Sequence, residues 1–268
     1  MLQRRARPLL IYTALLLSAS WSVSVRAQEG RAVAALGRLE PVGGVLHVAG
    51  PSRPGSVIAD LEVVEGEDVA EGQVLARLDT YPESQARVAR LKAVLRDAES
   101  KLAREKTLRK TGATSQSTFD TATLGVEVAR AELAAAEAAL GLSEVRAPSD
   151  GRVLDIHARR GERIGPQGLL EIGFVEQMQA VAEVYETDIG LVRVGQSATV
   201  SSPALPEKLT GKVARIGNKV GKLDVLGTDP TAATDARVVE VDIELDDSAA
   251  AESLTNLQVE VRIDSGAS

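Results

Sequence analysis

The stretches VIADLEVVEGEDVAEGQVLARLD (57–79) and VRAPSDGRVLDIHARRGERIGPQGLLEI (145–172) decide the fold of this chain. In each, apolar and polar residues alternate, and glycines interrupt the alternation at short intervals. This pattern is typical of short β-strands joined by tight turns. Because both stretches follow it, we expect 57–81 and 143–173 to be the two halves of one pseudo-symmetric, hammerhead-like sandwich, with the residues between them inserted into it.

The inserted segment, 82–142, is predicted to form an antiparallel helical hairpin. Apolar residues recur in both of its arms at alternating spacings of three and four, the pattern of a coiled-coil seam. The turn between the arms is predicted at TGATSQ (111–116), where Gly112 and several N-cap candidates lie together. The seam residues are Val88, Leu91, Leu95, Ala98 and Leu102 in the first arm, and Phe119, Ala122, Val126, Ala129, Leu133, Ala136 and Leu140 in the second.

The two arms differ in charge. The first arm carries nine basic and four acidic residues, whereas the second carries one basic and four acidic residues. Two interpretations are open. The charges are solvated and attract each other within one hairpin, where exposed pairs contribute little, or the first arm of one copy faces the second arm of the next copy in a ring.

The remainder of the chain is predicted to be mainly β. Strand periodicity returns in 178–184, 198–201, 210–216, 238–245 and 258–263. We expect 174–264 to form a β-barrel, because closure removes exposed strand edges, and we expect strands in 28–56 to join it. A polar tail, 265–268, follows the barrel.

The first 27 residues are typical of an export segment. Arg4, Arg5 and Arg7 precede an apolar run over 9–25, and Ala27 offers a small residue for cleavage. We interpret 1–27 as a cleaved signal peptide or a retained membrane anchor. Either form leaves the rest of the chain outside the cytoplasm.

Composition excludes several functions. The formal net charge of -7 argues against nucleic-acid binding. The chain has no cysteine, which excludes disulfides, thiolate metal sites, a cysteine nucleophile and a lipoprotein anchor. Aromatic residues make up only 2% of the chain, which favours several small β modules over one large enzyme core.

No catalytic or metal-binding motif is found. His47 and His157 are expected on different halves of the sandwich and have no HExxH motif or second histidine at ligand spacing, so no metal site is predicted. GNKVGK (217–222) departs from a phosphate loop and is interpreted as a turn. Glu240, Asp242 and Glu244 are expected on the wet face of a strand. We therefore predict a protein that is not an enzyme and uses no cofactor.

The two halves of the sandwich resemble lipoyl and biotinyl domains. Together with the hairpin, the barrel strands and the export segment, they identify 37–264 as similar to the HlyD-like periplasmic adaptor, or membrane fusion protein, family. The stretches 178–200 and 229–247 look most like the DevB and MacA types, which serve ABC exporters. In true carriers a lysine occupies the turn joining the halves, but here the chain reads Leu78-Asp79-Thr80-Tyr81-Pro82.

The resemblance also implies partners and site residues. Family members that dock on a TolC-like outer-membrane channel carry an Arg-x3-Leu-x6-Ser pattern at the hairpin tip, which here matches Arg104, Leu108 and Ser115. In related adaptors a loop of the lipoyl domain holds a gating glutamine, which corresponds here to Gln167. The implied assembly is a ring of six copies in the periplasm, associated with the inner membrane, that joins an ABC permease with its ATPase to the outer-membrane channel.

Three alternatives stay open. An adaptor for a proton-driven RND pump would have the same architecture and a different energy source. A carrier domain of an acyl or carboxyl transfer enzyme would require a reactive lysine and access to the cytoplasm. A purely structural coiled-coil protein would leave the two glycine-rich halves unexplained.

Overall fold

The computed structural model of the chain describes residues 32–51, 56–223 and 237–266. The predicted signal or anchor, 1–27, lies outside these residues. Within them, no helix combines the length and the apolar character that crossing a bilayer requires.

Thirteen strands and two α-helices form the described part of the chain. In chain order they are β1 (Ala32–Pro41), β2 (Leu46–Val48), β3 (Ile58–Leu61), β4 (Asp68–Val69), β5 (Val74–Leu78), α1 (Tyr81–Lys110), α2 (Gln116–Gly141), β6 (Glu144–Arg146), β7 (Gly151–Ile156), β8 (Leu170–Gly173), β9 (Met178–Tyr185), β10 (Ser197–Ser201), β11 (Leu209–Lys222), β12 (Arg237–Leu245) and β13 (Gln258–Asp264). One short 3-10 helix, Ile189–Leu191, lies between β9 and β10.

Six antiparallel strands close into a barrel in the order β1-β13-β10-β11-β12-β9. Apolar residues alternate along these strands and fill the barrel interior, where Leu39, Met178, Ile243 and Ile263 are at most 1% exposed. The β1–β9 ladder, from Leu36↔Glu183 to Pro41↔Met178, completes the closure. The barrel predicted from strand periodicity is therefore confirmed.

Two details of the barrel differ from the sequence-based expectation. The segment 217–222, interpreted as a turn, continues β11 through a bulge and pairs with β12 at Val220↔Val239 and Lys222↔Arg237. Gly217 permits this path, because a Cβ atom there would lie 2.9 Å from the carbonyl oxygen of Glu240.

On the acidic face of β12, Glu240 and Glu244 are exposed as predicted, but Asp242 is buried. Asp242 is only 8% exposed and accepts a hydrogen bond from the Arg215 guanidinium at 2.7 Å. Glu240 pairs with Arg38 on β1 at 3.1 Å. Burial lowers the pKa of Arg38. Hydrogen bonds and charge attraction from Glu40 and Glu240 outweigh this effect and raise the pKa above its ordinary value. These carboxylates are thus structural partners of arginines from neighbouring strands.

The two glycine-rich halves interleave to form the sandwich. One sheet has the order β3-β5-β6 and the other the order β2-β8-β7-β4, so each sheet contains strands from both halves. The expectation that all strands of 28–56 join the barrel is wrong for β2, which pairs with β8 at His47↔Glu171. The chain leaves the barrel after β1, because Gly43 and Gly44 adopt positive φ there and redirect it into the sandwich.

The insertion forms the predicted antiparallel hairpin. All the seam residues named above are buried or half-buried, while the residues between them are mostly exposed. The 30 residues of α1 correspond to a length of about 45 Å. The hairpin leaves the sandwich between β5 and β6, where the Leu78 amide donates to the Ser143 carbonyl at 3.0 Å.

Candidate functional site

The hairpin tip, 111–115, is built by two helix-capping motifs. At the end of α1, Gly112 adopts φ 71°. Its amide donates to Arg109 O at 3.1 Å and the Ala113 amide donates to Leu108 O at 2.9 Å, which together form a Schellman motif. Glycine is needed at this position because the left-handed conformation is unfavourable for residues with a Cβ atom.

Ser115 begins the second helix. Its Oγ accepts a hydrogen bond from the Thr118 amide at 3.0 Å, and its backbone is extended, as expected of an N-cap. Thr114, another predicted cap candidate, instead donates from Oγ1 to the Glu105 carboxylate at 2.5 Å and ties the tip to α1. The tip is therefore a folded turn with a defined surface.

The three residues of the predicted docking pattern differ in their surroundings. Arg104 is exposed and makes no ion pair within the described part of the chain. Leu108 is half-buried in the last turn of α1, and Ser115 is exposed but already employed as a cap. Arg104 and Leu108 are therefore the two residues of this pattern whose side chains remain available to contact a partner.

An aromatic contact joins the arms next to the tip. The Arg109 guanidinium lies over the Phe119 ring, 4.4 Å from its centroid, an attractive cation–π geometry. Lys106 and Lys110 add exposed positive charge to the same end of α1. The end of the hairpin therefore presents an apolar residue within a basic surface.

A groove runs along one side of the hairpin. The exposed apolar residues Val94, Leu124 and Val128, which are 40%, 58% and 49% exposed, lie along it. Gly125 lies in the same groove, and no atom is found within 4 Å of a Cβ built on it. A mid-helix glycine costs about 0.5–1 kcal/mol relative to alanine, and packing within the hairpin does not explain this one.

Few of the arm charges neutralise each other within the hairpin. Among the described residues, the ion pairs that cross between the arms are Lys92–Glu137 at 3.3 Å and Arg130–Glu99 at 3.5 Å. Only the first of these pairs a base of the first arm with an acid of the second. The excess charge of both arms therefore faces solvent.

Gln167 is exposed on a tight turn in the second half of the sandwich. The turn is closed by the Gly168 amide, which donates to the Gly165 carbonyl at 3.1 Å, with Pro166 at its second position. Gln167 therefore does not belong to the hairpin that carries Arg104, Leu108 and Ser115.

The structure assembles one cluster that the sequence motifs missed. His47 and His157 both contact the Glu171 carboxylate, through Nδ1 at 3.2 Å and Nε2 at 3.0 Å respectively. Although the sequence pattern assigns the two histidines to different halves of the sandwich, β2 and β7 flank β8 in one sheet and bring them together. The pairing of β2 and β7 with β8 was the missing information, and no motif spacing encodes it.

Comparisons with known proteins agree on the hairpin and on the fold. Residues 80–144 match the family model described as "RND MFP, alpha-helical hairpin domain". The chain is 29% identical over 204 residues to the pyoverdine export membrane fusion protein PvdR of Pseudomonas putida, covering 65% of this chain and 51% of the relative. It is 30% identical over 163 residues to the multidrug resistance protein MdtA of Pantoea ananatis, covering 55% and 40%.

A solved structure supports the architecture. A MacA–MexA chimera that contains the Pseudomonas aeruginosa MexA α-hairpin superposes with a TM-score of 0.67 at 19% identity, covering 88% of this chain and 81% of the other. At this identity the likeness concerns the fold alone. The chain spans about half the length of the PvdR relative that it matches.

Replacing Ser115 with alanine removes the α2 cap and is expected to destabilise the first turn by about 1 kcal/mol. Hydrogen exchange of the Thr118 amide should accelerate roughly fivefold, measured by NMR on the full chain. Ser115→Asp, which keeps a capping oxygen, should restore protection. Ser117→Ala is the matched control, because no cap bond is made by that side chain. Equal acceleration in Ser115→Ala and Ser117→Ala would refute the capping role.

Proposed function

Because this chain belongs to the membrane fusion protein family, we propose that it is the periplasmic adaptor of an efflux or export system and is not an enzyme. It links a transporter in the inner membrane to a TolC-like channel in the outer membrane. The projecting hairpin is the observation that carries this proposal. An arm of about 45 Å, held at its base by the sandwich, presents its tip far from the rest of the protein.

The tip supplies the docking contact. Leu108 is half-buried against the turn, so part of its side chain is available to fill a groove between helices of a partner. Arg104 lies one helical turn away and carries an unpaired guanidinium, which suits carboxylates or helix C-terminal carbonyls. Ser115 contributes by fixing the start of α2 and with it the shape of the tip.

Leu108→Asp is expected to abolish export and docking while the fold is retained. Burying a leucine contributes about 1.5–3 kcal/mol, so losing that contact and adding a charge should weaken binding by roughly tenfold or more. Export from cells and site-specific cross-linking to the channel measure the effect. Val64→Asp introduces the same charge at a residue that is 65% exposed on the sandwich and is expected to have no effect.

The charge at Arg104 is tested in the same assays. Arg104→Glu should reduce cross-linking, whereas Arg262→Glu, the same change at an exposed position of the barrel strand β13, should not. Both arginines are exposed, so neither change is expected to unfold the chain. Normal export by Leu108→Asp, or equal loss in Arg104→Glu and Arg262→Glu, would contradict docking at the tip.

We further propose that six copies form a ring through their hairpins. The basic first arm and the acidic second arm are complementary, and most of their charges stay unpaired within one hairpin. The groove along Leu124 and Val128 offers apolar contact area, and the open space beside Gly125 lets a neighbouring helix approach closely. These features favour the second of the two interpretations of the arm charges.

Charge reversal tests the ring. Glu127→Lys combined with Glu132→Lys adds like charge against the first arm of a neighbour and is expected to weaken assembly, measured by analytical ultracentrifugation of the full chain. Reversal of Arg90 and Arg96 to glutamate in the same chain should restore it. Assembly that is unaffected by the first pair of changes would remove the ring interface from consideration.

For the transporter we propose an ABC permease with its ATPase, on the resemblance of 178–200 and 229–247 to the DevB and MacA types. The alternative is an RND-type proton-driven pump, which the description of the matching hairpin model favours. Cross-linking the chain in its native host and identifying the captured inner-membrane protein separates the two. A permease with an associated ATPase is expected, and a proton-driven pump would establish the alternative. Association with the inner membrane, through the segment 1–27 where it is retained, belongs to this proposal.

Gln167 is proposed as a residue that lines the central passage of the ring. Its position supports this role, because Gln167 presents an exposed amide on a turn of the sandwich that is held by Pro166 and the Gly165–Gly168 hydrogen bond. A ring of such amides would narrow the passage without adding charge.

A further inference from the structure

We propose that His47, His157 and Glu171 form a binding site for a divalent transition metal on the sandwich, with zinc as the best-suited ion. The site does not depend on the adaptor function. One ligand atom from each of the three residues lies within 4.8 Å of the other two. Two imidazoles and one carboxylate are a donor set that zinc accepts, with a fourth position left for water.

The sheet itself brings the three residues together. β8 is the middle strand, and Glu171 is directly opposite His47 on β2 and Asp155 on β7. His157 follows β7 two residues after Asp155, and its amide donates to the Leu169 carbonyl at 2.9 Å. Residues two apart on an extended chain share a face, so His157 is directed toward Glu171 by the backbone.

The distances suit a tetrahedral ion. Zinc bonds to nitrogen and oxygen of about 2.0–2.2 Å correspond to ligand separations of about 3.3–3.5 Å. Glu171 Oε1 lies 3.2 Å from His47 Nδ1 and 3.0 Å from His157 Nε2, so two edges of the tetrahedron are already close to that size. The rings are nearly parallel, 6.4 Å apart, and only the remaining edge must shorten.

The three ligands differ in how exposed their side chains are. His157 and Glu171 are 14% and 20% exposed, which holds them in place within the sheet. His47 is 62% exposed and can rotate to close the remaining edge. The open side of the cluster faces solvent and gives the ion an entry path.

A further carboxylate supports one histidine. Asp155 Oδ2 lies 3.5 Å from His157 Nδ1, and its other oxygen accepts the Ile156 amide at 2.8 Å. A carboxylate behind the imidazole favours the tautomer that leaves Nε2 free for a metal. The nearby Arg159 and Arg160 face Glu65 and Asp60, at 3.8 and 3.7 Å, which offsets their charge beside the site.

A bound ion would stabilise the segment that connects the barrel to the sandwich. β2 has only three residues and pairs only with β8 in its sheet. It is also the strand that links β1 of the barrel to the sandwich. An ion shared by β2, β8 and the residue following β7 would cross-link this short strand to the sheet.

Isothermal titration with zinc tests the site on the full chain carrying no histidine tag. We expect one saturable site per chain. Because the chain has only two histidines and no cysteine, His47→Gln and His157→Gln each remove an imidazole that nothing else replaces. Each should lower zinc affinity by about 100-fold, and Asp155→Asn by about tenfold. Glu71→Gln, which removes an exposed carboxylate from the same sandwich, should leave affinity unchanged.

The melting temperature and the NMR spectrum provide two further measurements of zinc binding at this site. Zinc should raise the melting temperature of the unchanged chain and not of His157→Gln, and it should shift the imidazole NMR signals of both histidines. If His157→Gln fails to fold, the exposed His47→Gln carries the comparison. The proposal is overturned if the unchanged chain shows no saturable zinc binding, or if the variant without both histidines binds zinc equally well.

Discussion

The pairing of β5 with β6 is the constraint on which the hairpin depends. These strands come from different halves of the sandwich, and their ladder holds both ends of the insertion at one place. The Leu78 amide bonds to Ser143, whose side chain donates to the Leu140 carbonyl at 2.6 Å and ends α2. Leu78 and Ser143 are at most 1% exposed, so the base of the hairpin is part of the sandwich core.

An insertion of this length is compatible with a small sandwich because the cost of closing a loop rises only slowly with its length. The hairpin also satisfies its own backbone, since both arms are helical and both ends at the tip are capped. Its seam is modest, with a buried cluster of Val88, Leu91 and Ala136 near the base. The second arm is rich in alanine, so helix propensity supplements a seam that buries little apolar area.

Local periodicity predicted most of this fold. The heptad spacing of the arms and the alternation in the barrel strands each reflect a single element and its buried face, which a linear reading detects. Register between distant strands does not appear in such patterns. Alternation assigned Asp242 to the outer face of β12 correctly, but only the pairing with β11 brings Arg215 against it and buries it.

Because local patterns carry no information on strand register, they also failed to predict the histidine cluster and the bulged strand. His47 and His157 are more than a hundred residues apart, and they meet because β2, which precedes the first half of the sandwich, and β7, in the second half, both pair with β8. GNKVGK has the composition of a turn, yet the glycines permit close approach of β12 and the chain continues through a bulge. Hairpin capping, by contrast, is decided within a few residues, and there the predicted turn at Gly112 and Ser115 is confirmed.

The charges of the two arms also indicate how copies of the chain contact one another. Attraction within one hairpin would explain the asymmetry if the bases of the first arm met the acids of the second, but within the described chain only Lys92 and Glu137 do so. The second crossing pair, Arg130 with Glu99, has the opposite polarity and consumes the one base of the second arm. Asp120, Glu127 and Glu132 of that arm are therefore left without an ion pair among the described residues. A surface of one sign beside an apolar groove is more effective in selecting a partner than in stabilising a monomer, so the hairpin is best understood as an element built for contact along its sides as well as at its tip.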